Sequence, residues 1–432
     1  MPGVYPPVLA VTHVAQNVAS GYVFVAEKKG GSPGGPVIAD NKGRVVWFHS
    51  LPDPVQATDF RVQTYRGKPV LTWWQGTINK AGVGKGYGVI MDNAYRVIAT
   101  VHAAHGLQSD LHEFELTPRG TAFLTAYREV AADLSSVGGP KNGWVLDSVV
   151  QEINVSTGRV VFEWHSLGNV PLSDSREANH EPAKDASKKR PLDYFHVNSV
   201  SDGPNGTILI SARNTSTLYD LSRSGEIVWQ FGGLHSDFGP ASAVKLNYQH
   251  NARLHAGSLL TVFDNGAIPK AEPYTRPMEI KLDLTKKTAR IVKTFVHPQK
   301  LLSPYEGDFQ LLPNADAFVG WGGIRRVSEF SPRGKLIFEM KLPYGDTYRG
   351  FRFPWSGKPD APPSVVVKGS TVYASWNGRT GIARWQVLSD GSVVASKAWS
   401  GLETAIPVAS SQNIQVRALD AAGRVLVTVK PS

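Results

Sequence analysis

The sequence has no cysteine among its 432 residues. That excludes disulfides, thiolate catalysis and cysteine-ligated zinc. It says nothing against export, because a chain this long can build a core without disulfide staples. Long apolar runs are missing too. No stretch approaches the roughly 20 residues of a membrane-spanning helix, so no membrane span is expected. Charged residues are scarce, at 19%, whereas 41% are hydrophobic, with 11 Trp, 14 Tyr and 17 Phe. Such a balance supports a substantial core and argues against disorder. Helical periodicity is nearly absent. No G-x-S-x-G elbow occurs, nor a glycine loop leading into a helix to cradle phosphate. GVGKGYG (82–88) is glycine-rich but runs into a strand pattern. MPGVYPPVLAVTHV at the start has no basic segment followed by an apolar core. Two expectations follow: an intracellular protein, or an exported one whose leader has been removed.

The net charge is +10, which suits an anionic partner. The basic residues are scattered, and the densest group is Lys188-Lys189-Arg190. A nucleic-acid protein would present a stripe or a long run, so no nucleic-acid partner is expected. An anionic small substrate fits better.

What the chain has in abundance is a repeated hairpin. PVIADNKGRVVWFHS (36–50) joins two alternating strands through a polar turn. The pattern returns at 87–101, 149–164, 216–231, 277–295 and 325–340. Such turn residues tolerate the dihedrals a tight reversal needs. A further short strand precedes each hairpin, at 21–26, 68–74, 120–127, 206–212, 257–263 and 314–322. A strand plus a hairpin, repeated in tandem, predicts an all-β chain folded as a six-bladed β-propeller over 1–354. How its first blade closes is not legible beyond an expected pairing of early with late strands. A Pro-rich linker follows at 355–363. The strands of 364–432, with Trp376 and Trp385 placed to fill a small core, predict a fibronectin type III-like β-sandwich.

In a propeller the inner strands surround a channel, so their ends can meet near the axis. Candidate stretches are DLHEFEL (110–116), DYFHVNS (193–199), SARNTS (211–216), QHNARLH (249–255), FDNG (263–266) and YEGDFQLL (305–312). Most of the 12 His need no function. His49 and His165 follow strand-ending aromatics, and His102, His105, His180 and His235 sit in polar loops. His112, His196 and His250 recur as a set beside apolar strands. Three imidazoles can bind zinc or copper. An arginine nearby, Arg213, favours an anion held bidentately instead, and no metal is expected. A salt bridge to a loop carboxylate is the other reading of Arg213. Glu113, Glu306 and Asp308 are possible glycosidic carboxylates, but nothing pairs them.

The ordered string DYFHVNS, GTILISARNTSTLYDLSRSGEIVWQFGG, QHNARL and FDNG resembles the arylsulfotransferase family, particularly its actinobacterial and fungal branch. The resemblance spans about residues 20–355. It implies a six-bladed propeller, often exported, that needs no nucleotide sulfate donor and no cofactor. It implies transfer of a sulfuryl group from a phenolic sulfate donor to a phenolic acceptor through a sulfated histidine. Residue by residue, His250 matches the nucleophile and His196 the second histidine, with Asn198 its polar neighbour. Arg213 matches the sulfuryl-binding arginine and His112 the histidine of an earlier blade. Glu113 stands where an aspartate often follows that histidine. The disulfide of some bacterial members cannot form here. Asn214 joins Arg213 at its strand end as a substrate-binding candidate, and Tyr194, Phe195, Tyr305 and Trp321 are expected to form an aromatic mouth. Two other readings stay open: sulfate-ester hydrolysis or other chemistry at the same cluster, and a non-catalytic binding propeller.

Overall fold

The computed structural model describes residues 6–28, 34–176, 183–203, 206–239, 244–409 and 412–431. His180 lies outside them. Among the described residues all regular structure is strand, apart from short 3-10 turns.

Every hairpin anticipated from its polar turn is present. Gly35–Ala39 pairs with Val45–Phe48, Gly84–Met91 with Val97–Val101, and Gly143–Asn154 with Val160–His165. Thr217–Leu221 pairs with Ile227–Gly232, Arg276–Asp283 with Thr288–Thr294, and Arg326–Phe330 with Leu336–Lys341. Local chemistry dictates the reversals. The Asp40 carboxylate accepts from the backbone N–H groups of Lys42 and Arg44, and Gly43 takes φ 76°. The Asp92 carboxylate receives Ala94 and Arg96 likewise. An aspartate that bonds the backbone two residues on, followed by a left-handed residue, stops the strand and turns it back.

A third strand extends each hairpin inward, and a fourth lies innermost. The innermost strands are Gln56–Tyr65, Ser109–Leu116, Val197–Asp202, His250–His255, Asp308–Leu311 and Asp346–Phe353. Each packs beside the next in that order, and Asp346–Phe353 packs back against Gln56–Tyr65. The arrangement is propeller-like. Asp346–Phe353 pairs with Tyr22–Lys28, so the late strand completes the earliest sheet. Ala10–Val14 adds a fifth strand to Leu336–Lys341.

Apolar side chains fill the spaces between neighbouring sheets. Phe123, Val150 and Trp164 meet Val200, Ile210 and Tyr219, while Leu209, Leu218 and Trp229 meet Leu260, Val262 and Met278. Burial of both faces explains why strands such as Val45–Phe48 are apolar at every position.

After Pro354 the strands form two further sheets. One holds Ser364–Lys368, Thr371–Ser375 and Glu403–Pro407; the other holds Arg384–Ser389, Ser392–Ala398, Ile414–Leu419 and Val425–Val429. Trp385 is wholly buried between them and Trp376 packs at the edge. This unit is bonded to the earliest sheet and to the outer hairpin of the next. The Asn377 amide both donates to and accepts from the Phe48 backbone, each at 3.0 Å, and the Tyr95 hydroxyl donates to Gly378 O at 2.7 Å.

Candidate active site

A cavity of about 650 Å³ opens at the end of the inner strands. His112, His196, Arg213 and His250 all line it, from segments far apart in sequence, together with Asn214 and Tyr305. His112 lies within the inner strand Ser109–Leu116, and His250 opens the inner strand His250–His255. His196 immediately precedes Val197–Asp202 and sits at φ 57°. The adjacent segment holds it there: Arg213 N–H donates to His196 O at 2.9 Å and Asn214 N–H to Phe195 O at 3.0 Å. Left-handed backbone also occurs at Tyr248, Asn251 and Glu306. Non-glycine residues persist in that region only where surrounding bonds over-determine them, and such positions cluster at functional sites.

The histidines have different partners. His112 bonds Asp110 through Nδ1, and Asp110 also accepts from Gly84 N–H at 2.6 Å. His196 Nδ1 lies 2.5 Å from Asp193 Oδ2. His250 Nδ1 instead meets the Asn265 amide oxygen at 2.7 Å. The His112 and His196 rings cross edge to face with centroids 4.8 Å apart. Tyr127 and Tyr348 flank His112 at 5.9 and 5.5 Å. Burial lowers the pKa of His112 below the ordinary imidazole range, against the pull of Asp110. Burial lowers His250 further, and the Arg213 guanidinium adds to the effect, so its imidazole is neutral at physiological pH.

Arg213 stands at the turn after Ile208–Ala212. Its guanidinium donates to Asn214 Oδ1 at 2.6 Å and to Ile268 O at 2.9 Å, and lies 5.0 Å over the Tyr248 ring. These contacts fix a cation at the cavity wall.

Four expected contacts fall elsewhere. Tyr194 and Phe195 are fully buried in the apolar layer with Trp164 and Tyr219, and Trp321 is fully buried with Phe263 and Phe330. They lie just outside the strands Val197–Asp202 and Ala317–Gly320, where the chain packs into the apolar layers between neighbouring sheets. Of the expected aromatic mouth only Tyr305 borders the cavity. Asn198 is buried and off the cavity. Its amide donates to Gln249 O at 2.7 Å, bracing the residue before His250.

Some residues that line the cavity or back its histidines carried no assignment from sequence. Asp110 and Asp193 precede their histidines by two and three residues inside the quoted stretches, so their signal was present. Asn265 lies in FDNG. Lys28, at the end of Tyr22–Lys28, had no signal. Its ammonium sits 2.6 Å from Glu306 and 2.9 Å from Asp346. Burial opposes its charge, but the two carboxylates keep it protonated, well above the usual lysine range. Glu113 points away from the cavity into a buried ion cluster with Arg61, Arg253 and Arg349. Asp308 is buried and bonded to Gly350 N–H at 2.8 Å. Among the described residues, no group of three or more His, Cys, Asp or Glu is arranged to hold a metal ion.

Three imidazoles at the inner strands and an arginine from the turn after Ile208–Ala212 thus share one cavity. The arylsulfotransferase (ASST) family matches residues 61–342, more than half of the chain, and the protein belongs to that family. No curated protein matches it significantly. Among solved structures, a protein of unknown function from Bacteroides caccae overlays with TM-score 0.47 at 11% identity, covering 78% of this chain and 100% of its own. A catalytically inactive virginiamycin B lyase from Staphylococcus aureus overlays with TM-score 0.33 at 10% identity, covering 86% and 97%. Overlays this loose carry no functional information.

Proposed function

We propose that the protein is an aryl-sulfate sulfotransferase. It takes a sulfuryl group from a phenolic sulfate ester onto His250 and passes it to a second phenol. The observation that carries this reading is the convergence of His112, His196, Arg213 and His250 on one cavity in a chain of the arylsulfotransferase family. Neutral His250 Nε2 attacks sulfur, and the S–O bond to the aryl group breaks. Arg213 faces the charge spread over the sulfuryl oxygens. His196 or His112, each backed by a carboxylate, gives a proton to the departing phenolate and takes one from the incoming phenol. Splitting the transfer at nitrogen replaces one difficult step with two easier ones.

The scaffold belongs to the same reading. The cyclic packing of the inner strands supports a six-bladed propeller through residue 354. The three- and four-stranded sheets around Trp385 support a fibronectin III-like sandwich over 364–432.

The test uses 4-nitrophenyl sulfate as donor and phenol as acceptor. His250→Ala is expected to lower transfer by about a thousandfold or more. Transfer that survives the substitution removes the proposed nucleophile. Sulfate release that ignores added phenol would make the enzyme a hydrolase.

A further inference from the structure

We infer that Asn265 is a positioning residue that fixes the tautomer of His250 and keeps the sulfated histidine reactive. The inference rests on the proposed transfer through His250. Its basis is the contrast among the histidines: two are backed by carboxylates at Nδ1, and the one that attacks is backed by a neutral amide.

The orientation of that amide follows from its other contacts. Asn265 Nδ2 donates to Glu306 O at 2.9 Å and to Ser303 O at 3.3 Å. Both are carbonyls and can only accept, so the amide nitrogen must face them. The oxygen therefore faces His250 and can only accept from it. Nδ1 carries the hydrogen, and Nε2 is left with its lone pair. Asn265 is itself fully buried, and Glu306, whose carbonyl orients it, also borders the cavity. The charged or titratable groups that face the ring are Arg213, His196 and His112.

The chemistry explains why an amide belongs there. In the first half-reaction the Nε2 lone pair forms the N–S bond. The S–O(aryl) pair leaves with the phenolate, which takes a proton from His196 or His112. Nδ1 keeps its hydrogen, because an amide oxygen cannot take it. The product is an N-sulfated imidazolium. In the second half-reaction the phenol gives its proton to the same histidine and its oxygen attacks sulfur. The N–S pair returns to Nε2, and a neutral imidazole leaves. A carboxylate in place of Asn265 would accept the Nδ1 proton from the imidazolium. The adduct would then be an uncharged imidazole ring bearing the anionic sulfuryl group, and its leaving group an imidazolate, which departs far less readily.

The experiment follows the sulfuryl adduct on His250 by mass spectrometry of quenched samples. The donor is 4-nitrophenyl sulfate, the adduct is chased with phenol, and the measurement is repeated over a range of pH. In Asn265→Asp the new carboxyl faces two carbonyls, so when protonated it mimics the amide. The adduct is expected to be short-lived at low pH. It should last at least about tenfold longer once the carboxyl ionises. Over the same range the wild-type adduct should show no such step. A wild-type adduct with unchanged kinetics and pH dependence in Asn265→Asp overturns the inference alone. Absence of any wild-type adduct overturns the nucleophile reading and this inference with it. The wild-type protein provides a measurement that needs no variant: nitrogen-15 shifts of His250 are expected to show protonated Nδ1 and bare Nε2. The opposite tautomer overturns the inference.

Discussion

His250 and Asp308 are both buried, and their titrations move stability in opposite directions. The folded-state pKa of His250 is depressed by burial. As pH falls below about 6.5, the unfolded chain takes up a proton that the folded chain refuses, so stability drops. Burial raises Asp308 to about 8. Between its unfolded value of about 3.9 and the folded one, the folded state holds a proton that the unfolded state has lost. Stability therefore falls as pH rises, by up to about 1.4 kcal/mol per pH unit. Asp308→Asn keeps the shape and the acceptor for Gly350 N–H but cannot ionise. Denaturant titrations are expected to show it close to wild type at pH 5 and more stable than wild type at pH 9. Arg213→Lys keeps the charge and loses the planar fork. The expected result is a drop of about 10- to 100-fold in kcat/KM for an aryl sulfate, with the fold intact by circular dichroism.

The elements divide into those whose sequence announces them and those whose sequence conceals them. The outer hairpins are legible because Asp40, Asp92 and their counterparts encode the turn locally. The innermost strands Gln56–Tyr65 and Asp346–Phe353 read QATDFRVQTY and DTYRGFRF, with charges where a doubly covered strand is ordinarily apolar. Those charges meet only in the folded state. Arg349 bonds Asp59 at 2.8 Å and Glu113 at 2.9 Å, and also donates to the carbonyls of His112 and Asn198 at 3.0 and 2.9 Å. Burial opposes ionisation of Glu113, yet Arg253, Arg349 and Arg61 hold it well below the usual carboxylate range. Replacing Arg349 by Met takes one guanidinium from two buried carboxylates and leaves Asp59 with Arg61, and Glu113 with Arg61 and Arg253. Equilibrium unfolding is expected to show a loss of about 3–5 kcal/mol. Because Arg349 also ties the strands carrying His112 and Asn198, activity should fall with stability.

At the scale of the whole molecule, a group of basic residues gathers near the cavity. Lys80 and Arg190 line it, and Lys85, Lys188 and Lys189 line a second cavity of about 480 Å³ that shares Arg190 and Asp193 with the first. Such a rim attracts an anionic donor at long range, and salt screens the attraction beyond about 8–10 Å. The kcat/KM for 4-nitrophenyl sulfate is expected to fall by a factor of about two to five between low and physiological ionic strength. Lys188→Gln with Lys189→Gln should flatten that dependence without changing kcat. The terminal sheets matter in another way. Trp355 donates to the Tyr95 hydroxyl at 3.0 Å, and Leu402 packs into the core shared with Val23 and Val37. Removing residues 359–432 would uncover that surface. Thermal unfolding is expected to occur several degrees lower, with the cavity residues still in register.

The sequence by itself determined the all-β character, the positions of the outer hairpins, and the identity of the histidines and the arginine that reach the cavity. These are local properties: turn chemistry, strand alternation, and polar residues at strand ends. Tertiary structure alone decided which aromatics face the cavity, and it sent Tyr194, Phe195 and Trp321 into the apolar layers between neighbouring sheets. It alone decided which late strand, 346–353, completes the earliest sheet, and it matched Arg349 with Asp59 and Glu113. It also gave His250 an amide partner while His112 and His196 received carboxylates. Those pairings depend on which distant strands become neighbours, and no local pattern records that.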